Sequence, residues 1–231
     1  MPVYRLSAKL VFPPVHLATR EGLLAVGGDL CFERLLLAYK SGIFPWYSDE
    51  EPILWWSPDP RLVLYPEEFQ VSKSLAKTIR QGVYRVTMDT AFEQVISACA
   101  RTRLANGIGT WITPEMKTAY CRLHERGYAH SVEAWRADQL AGGLYGVSLG
   151  RVFFGESMFS AMSNASKVCL VYLVQYLKER CFDLIDCQVT TNHLLSMGAH
   201  NIPRDEFITQ LHQSVHYPSK VGPWMNAGSG R

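Results

Sequence analysis

The chain of 231 residues has no C-x-x-C pair, and its six cysteines, Cys31, Cys99, Cys121, Cys169, Cys181 and Cys187, are spread irregularly. That spacing excludes the usual zinc-ligand patterns and a small disulfide-stapled scaffold. Cys169, Cys181 and Cys187 are expected in the core as small hydrophobes. The first residues, "MPVYRLSAKLVFPPVHL", lack an uninterrupted apolar segment, and no stretch approaches the roughly 20 apolar residues that cross a bilayer. No membrane association is expected, and a reducing cytoplasm is the expected setting. The net charge of +2 is too small to announce nucleic-acid binding, so any phosphate contact has to be a local basic patch. Internal repeats and low-complexity segments are absent, and the small polar end "MNAGSGR" is set aside from fold reasoning. Hydrophobic content of 48% and charged content of 19% leave a globular protein, one large domain or a compact domain carrying a smaller one.

In "GGDLCFERLLLAYKSGIFPW" a Gly-Gly turn precedes an apolar-periodic helix that stops at Gly42. The next eighteen residues hold four prolines and three tryptophans, too many prolines for a regular element, so a rigid aromatic loop is expected there. Beyond residue 61 the pattern mixes helix and strand. Ser72 caps a helix ending at Gly82, "VYRVTM" reads as a strand, and Thr90 to Glu93 reads as a capping box. Thr113 and Pro114 open a helix that stops at Gly127. Three strand-like runs follow, "YAHSVEAWR", "QLAGGLYGV" and "RVFFGES", whose short turns favour an antiparallel meander. Asn164 caps a long helix to about Arg180, "FDLIDCQV" returns as a strand, and short helices follow Thr190 and Pro203. The expectation is an α+β fold, with residues 1–61 as a small N-terminal domain and 62–231 as the larger one.

"LIDCQV" places Asp186 and Gln188 on one face of a strand and Ile185, Cys187 and Val189 on the other, apolar, face. An edge strand with its polar side in water accounts for such a pair equally well. Glu156, at the end of the third meander strand, approaches Asp186 if the two strands are neighbours. Two carboxylates in a dry cleft shift each other's pKa and can serve as acid, base or cation receptor. Trp46, Trp55 and Trp56 in the Pro-rich loop, and Trp111 before a helix, either plug an interface or stack a nucleobase. Lys73, Lys77 and Arg80 recur at spacings of four and three, so they share one helical face that is either solvated or a track for an RNA backbone.

"GLLAVGGDL", "GIFPWYS", "PILWWSPDPR", "GTWITPEM", "AHSVE", "GGLYGV", "FFGESMFS", "ASK" and "LIDCQV" occur in this order between about residues 12 and 207. In them the sequence resembles the leucyl/phenylalanyl-tRNA-protein transferases. The resemblance implies a small N-terminal domain, and a C-terminal domain with an acetyltransferase-like (GNAT-like) fold whose mixed, mostly antiparallel sheet is flanked by helices. It implies a bacterial, cytoplasmic, monomeric enzyme without metal or other cofactor. That enzyme moves Leu or Phe, and less readily Met, from aminoacyl-tRNA to proteins beginning with Arg or Lys, and the product is an N-degron. It further implies that Asp186, Gln188 and Glu156 are catalytic and that Trp46 and Trp111 hold the terminal adenosine. Leu144, Met158, Leu170, Leu173 and Ile185 would line the pocket for the transferred side chain, with Ser160 at its wall. Cys31 stands where the family usually has a capping Ser, and "QVTTNH" departs from family loops. The fold it shares with acyl-CoA acetyltransferases raises that rival, but the turn "FSAMSNASK" has no glycine to cradle a pyrophosphate. A hydrolase leaves the aromatic loop unexplained, and a pure RNA-binding module leaves the carboxylates unexplained.

Overall fold

The structure is a computed structural model that describes residues 3–105 and 110–224. Four short strands, β1 (Tyr4–Leu6), β2 (Leu23–Gly27), β3 (Phe44–Pro45) and β4 (Leu54–Trp56), form one sheet in the order β1-β2-β4-β3. Helix α1 (Phe32–Lys40) lies between β2 and β3. The Pro-rich segment expected to be loop therefore contains two strands: Pro45 is an edge residue whose missing N–H costs the sheet nothing. Cys31 occupies the N-cap of α1 without a side-chain bond, and the Asp29 carboxylate accepts its backbone N–H instead.

The second sheet has seven strands, with β5 (Arg61–Leu64), β6 (Arg85–Met88), β7 (Ala129–Arg136), β8 (Gln139–Leu149), β9 (Val152–Ser160), β10 (Leu184–Gln188) and β11 (His200–Ile202). Their order is β11-β5-β10-β9-β8-β7-β6. β6 to β9 are antiparallel neighbours, β10 runs parallel to β9 after a crossover, and β5 and β11 are antiparallel again. The sheet is mixed and mostly antiparallel, as the α+β reading requires. The helices are α2 (Lys73–Arg80), α3 (Phe92–Ala105), α4 (Pro114–Glu125), α5 (Ala165–Glu179), α6 (Asn192–Leu195) and α7 (Arg204–Val215).

Alternation along the strands divides the core. Val132, Leu144, Phe153 and Ile185 face one side, where α5 packs with Leu170, Leu173 and Val174. Tyr145, Phe154, Phe159 and Leu184 face the other, against α1, α3, α4, α7 and the small sheet through Tyr39, Val95, Tyr120, Phe207 and Trp55.

Three local readings differ from expectation. The capping box at Thr90 does not form, because its hydroxyl is spent on the buried Glu133 carboxylate at 3.0 Å and the helix starts at Phe92. Asn164 sits at the N-cap of α5 in the left-handed region, at φ 64°, without a side-chain bond; the Ser160 hydroxyl accepts the Ser166 N–H instead, at 3.1 Å. Cys181 is exposed rather than core, at a left-handed turn after α5. Among the described residues no helix is long and apolar enough to cross a membrane, and no group of three or more His, Cys, Asp or Glu could hold a metal ion.

Gly146 on β8 has no room for a side chain. An added methyl would strike the Phe154 carbonyl oxygen and come within 2.6 Å of the Phe153 ring. Gly146→Ala is expected to cost about 1–3 kcal/mol in denaturant unfolding, as an overpacked site does. An unchanged midpoint would show that β8 and β9 are not apposed here.

Candidate active site

Two irregularities build the site. β10 pairs with β9 only as far as Asp186 opposite Phe154, while β9 continues against β8 to Ser160. Past that point β9 and β10 have no further paired residues. On β9, Gly155 lies opposite Gly146 and Ser157 opposite Tyr145, so Glu156 is an extra residue in a bulge. On β10, Asp186 lies opposite Val63 and Gln188 opposite Leu62, so Cys187 is the extra residue, and Gln188 is turned to φ 64°. Each bulge re-aims one polar side chain into the opening.

The opening leads into a cavity of about 420 Å³, within the range of small-molecule sites. Leu144, Met158, Leu170, Leu173 and Ile185 line it from the α5 side, with Phe153 among them. Trp46, Trp111, Phe44 and Pro45 line it as well, and of these Phe44 and Trp111 belong to the core on the opposite side of the sheet. Glu156 and Gln188 lie at its wall, as do Thr191 and His193 of the segment after β10. The structure thus brings together every predicted pocket residue except Ser160, which points to Met162 and the start of α5. Lys73, Lys77 and Arg80 are exposed on α2, away from the cavity lining. Of the other tryptophans, Trp55 is fully buried and donates to the Gly27 carbonyl, and Trp56 donates to the Trp46 carbonyl at 2.7 Å, bracing its neighbour.

The polar pair of "LIDCQV" does not face water. Asp186 is completely buried, and the Arg61 guanidinium grips it in a fork: Nε donates to Oδ1 at 2.8 Å and Nη2 to Oδ2 at 2.7 Å. Arg61 is buried too, between the rings of Phe44 and Phe207, and its Nη1 donates to the Gly42 carbonyl. Asp186 Oδ1 also accepts the backbone N–H of Gln188 at 2.9 Å. The carboxylate therefore fixes the left-handed turn at Gln188 rather than its side-chain amide. Val189, expected in the core, is exposed beyond this turn.

The Gln188 amide is held by Glu156 instead, with Nε2 donating to Oε1 at 2.8 Å. Glu156 also accepts from the Tyr39 hydroxyl at 2.8 Å and the Tyr120 hydroxyl at 2.9 Å, and the two hydroxyls touch each other. Three oxygen contacts close this triangle, while the two phenols supply only two protons, so a protonated Glu156 satisfies all three. Burial pushes the Glu156 carboxyl up to about 7; the three donors oppose this and the charge of Asp186 adds to it. Both tyrosines are held well above the ordinary phenol range, first by burial and then by Glu156. Burial also lowers His193, helped by Lys167.

A family model described as "Leucyl/phenylalanyl-tRNA protein transferase" matches residues 63–212, and one for the N-terminal domain of the same enzymes matches residues 28–59. The chain belongs to the leucyl/phenylalanyl-tRNA-protein transferase family. A relative bearing that name from Desulforapulum autotrophicum is 59% identical over 99% of this chain and 100% of its own length. Another from Syntrophobacter fumaroxidans is 60% identical over 93% of this chain and 92% of its own. Among solved structures, an aminoglycoside acetyltransferase from a soil metagenome aligns at a TM-score of 0.41 and 11% identity, over 50% of this chain and 85% of that one.

Arg61, Tyr39 and Tyr120 are the site residues that sequence reading missed. The tyrosines occupy apolar positions of helices, and Arg61 opens an apolar strand; only the sheet order brings it to Asp186.

Replacing Arg61 by Met is expected to cost about 3–5 kcal/mol in denaturant unfolding by stranding Asp186, and Arg61→Met with Asp186→Leu is expected to recover most of that loss. Glu156 titrates at a raised pKa in the folded protein, so its contribution is full below about pH 4.5 and is lost as pH rises through 7. Glu156→Gln should remove this decline, on the order of 3 kcal/mol, from the pH dependence of stability. Parallel stability curves for the two proteins would rule out the raised pKa.

Proposed function

We propose that the chain moves Leu or Phe, and less readily Met, from aminoacyl-tRNA to the α-amino group of proteins beginning with Arg or Lys, creating an N-degron. The observation that carries this reading is one cavity whose lining combines apolar residues packed with α5, two tryptophans and the Glu156–Gln188 pair. The transferred side chain lies among Leu144, Met158, Leu170, Leu173 and Ile185, and the terminal adenosine stacks on Trp46 and Trp111. A side chain branched at Cβ would be too wide where the backbone enters, and one misplaced methyl is worth about 1–3 kcal/mol. Residues 1–61, which bring Trp46, act as the smaller domain and residues 62–231 as the catalytic one. The enzyme works as a monomer in the cytoplasm, where aminoacyl-tRNA is made.

An ester on a ribose oxygen is already activated, so alignment is most of the work and can supply about 7–11 kcal/mol. With Nε2 engaged by Glu156, the Gln188 amide oxygen is the end left to accept an N–H of the incoming amine. The reference pKa of that amine is near 8, so about a tenth is neutral at pH 7. Its nitrogen attacks the ester carbonyl carbon and forms the amide bond. The C–O bond to the ribose then breaks, and the amine's proton leaves with the ribose oxygen. Asp186 contributes by holding the turn at Gln188. With both oxygens engaged by Arg61, it has no role as base or as receptor for the acceptor's cationic side chain. Glu156 holds Gln188, and its near-neutral pKa lets it exchange a proton within the tyrosine triangle. Lys73, Lys77 and Arg80 follow the tRNA backbone from α2.

The test is transfer of labelled Phe from Phe-tRNA, without CoA, to peptides beginning with Arg or with Ala. Transfer is expected for Arg only, with Gln188→Ala lowering kcat by about 10²-fold or more. No transfer by the folded wild type would overturn the assignment. Lys77→Ala is expected to weaken tRNA binding and to reduce the slope of log affinity against log salt by about one. An unchanged slope would remove α2 from the tRNA path.

A further inference from the structure

Beyond α7, the segment 216–224 lies outside the span matched by the family model, yet it is fastened at four points. The Tyr217 ring receives the Arg151 guanidinium at 3.5 Å, and the Ser219 hydroxyl accepts the Gly150 N–H at 2.9 Å. Gly222 lies against Gly127, donating its N–H to the Gly127 carbonyl where a methyl on Gly127 would collide with it. Finally, the Trp224 N–H donates to Asp89 Oδ2 at 2.6 Å. The same carboxylate accepts the Ser131 N–H and is bonded to the His130 ring. A segment of nine residues with so many anchors is a strap with a fixed end.

What the strap delivers is the Trp224 side chain, only 3% exposed. Its ring stacks on His130 at 3.9 Å and on Tyr176 at 4.5 Å, and it meets Phe153 at 5.7 Å. The indole Nε1 is buried with no hydrogen-bond partner among the described residues, so the ring is held by packing alone. Phe153 links Trp224 to the apolar lining of the cavity: it contacts the indole and lines the cavity with Leu170, Leu173 and Ile185. It also lies close over Gly146. Phe153 is therefore held from behind by a residue in the last part of the described chain.

We propose that Trp224 is a positioning residue for donor selection: by backing Phe153 it sets the depth of the side-chain pocket. The inference rests on the assignment of that pocket made above. A close-packed interior transmits the loss of a supporting ring to the wall it supports. Removing the indole frees Phe153 to retreat, and the pocket then accepts a longer aromatic side chain than Phe.

The test compares kcat/KM for tRNA charged with Phe and with para-iodophenylalanine, in wild type, Trp224→Ala and Met158→Ala, with one peptide beginning with Arg as acceptor. Trp224→Ala is expected to raise the ratio of iodophenylalanine to Phe by about tenfold, with Trp224→Phe between it and wild type. A folded Trp224→Ala protein in which both donors fall alike, or in which the ratio is unchanged, would overturn the proposal. Should the Ala variant fail to fold, Trp224→Phe and Trp224→Leu read the same ratio. A shift in Met158→Ala without one at Trp224 would sink the strap and leave the pocket standing. No shift in either would count against the pocket itself.

Discussion

The buried ion pair between Arg61 and Asp186 is the constraint on which the rest of the site depends. Both side chains are out of water, so neither charge is tolerable without the other, and their fork geometry leaves little freedom of position. The pair ties the first strand after the small sheet to the strand that carries Gln188. Through Gly42 it also ties in the end of the helix that presents Tyr39. Replacing this pair by apolar residues would keep a core but lose the acceptor for the Gln188 N–H. The Asp186 carboxylate thus has two geometric tasks at once, accepting the N–H of the left-handed turn at Gln188 and holding the Arg61 fork.

Charge is handled differently thirty residues earlier in the chain. Asp186 is gripped by the Arg61 guanidinium, whereas Glu156 meets two phenols and an amide, and burial pushes its carboxyl up to about 7. The two carboxylates thereby do different work: Asp186 fixes the turn at Gln188 from behind, and Glu156 holds the Gln188 amide from the cavity wall. Both depend on bulges: each inserts one residue into a strand that otherwise alternates strictly, and the alternation on either side is what makes the displacement count.

Much of this was legible in the sequence where a local rule decided the outcome. Ser72 and Thr113 cap helices as read, the meander strands form, and Asp186, Gln188 and Glu156 come to one place because the crossover through α5 sets β10 beside β9. Reading stopped where the outcome depended on distant partners. Thr90 has the right spacing for a capping box, but a buried carboxylate across the strand pair competes for its hydroxyl. The strict alternation assumed for "LIDCQV" gave way at a bulge, which sequence periodicity cannot register, so Val189 emerged at the surface. Ser160 matches the pocket by its place in a motif, but its hydroxyl accepts the Ser166 N–H at the first turn of α5. Arg61 gave no local signal, because its partner is 125 residues away.

That separation bears on how the molecule is made. Tyr39, Arg61, Tyr120, Glu156 and Gln188 are drawn from most of the length of the chain, and β5 waits for β10 before it has a neighbour on that side. Pairings so distant in sequence carry a large loop-closure cost, so folding is expected to be slow for a protein of this size. A chain still emerging from its own synthesis holds the aromatic loop and the basic helix well before it holds a reactive centre.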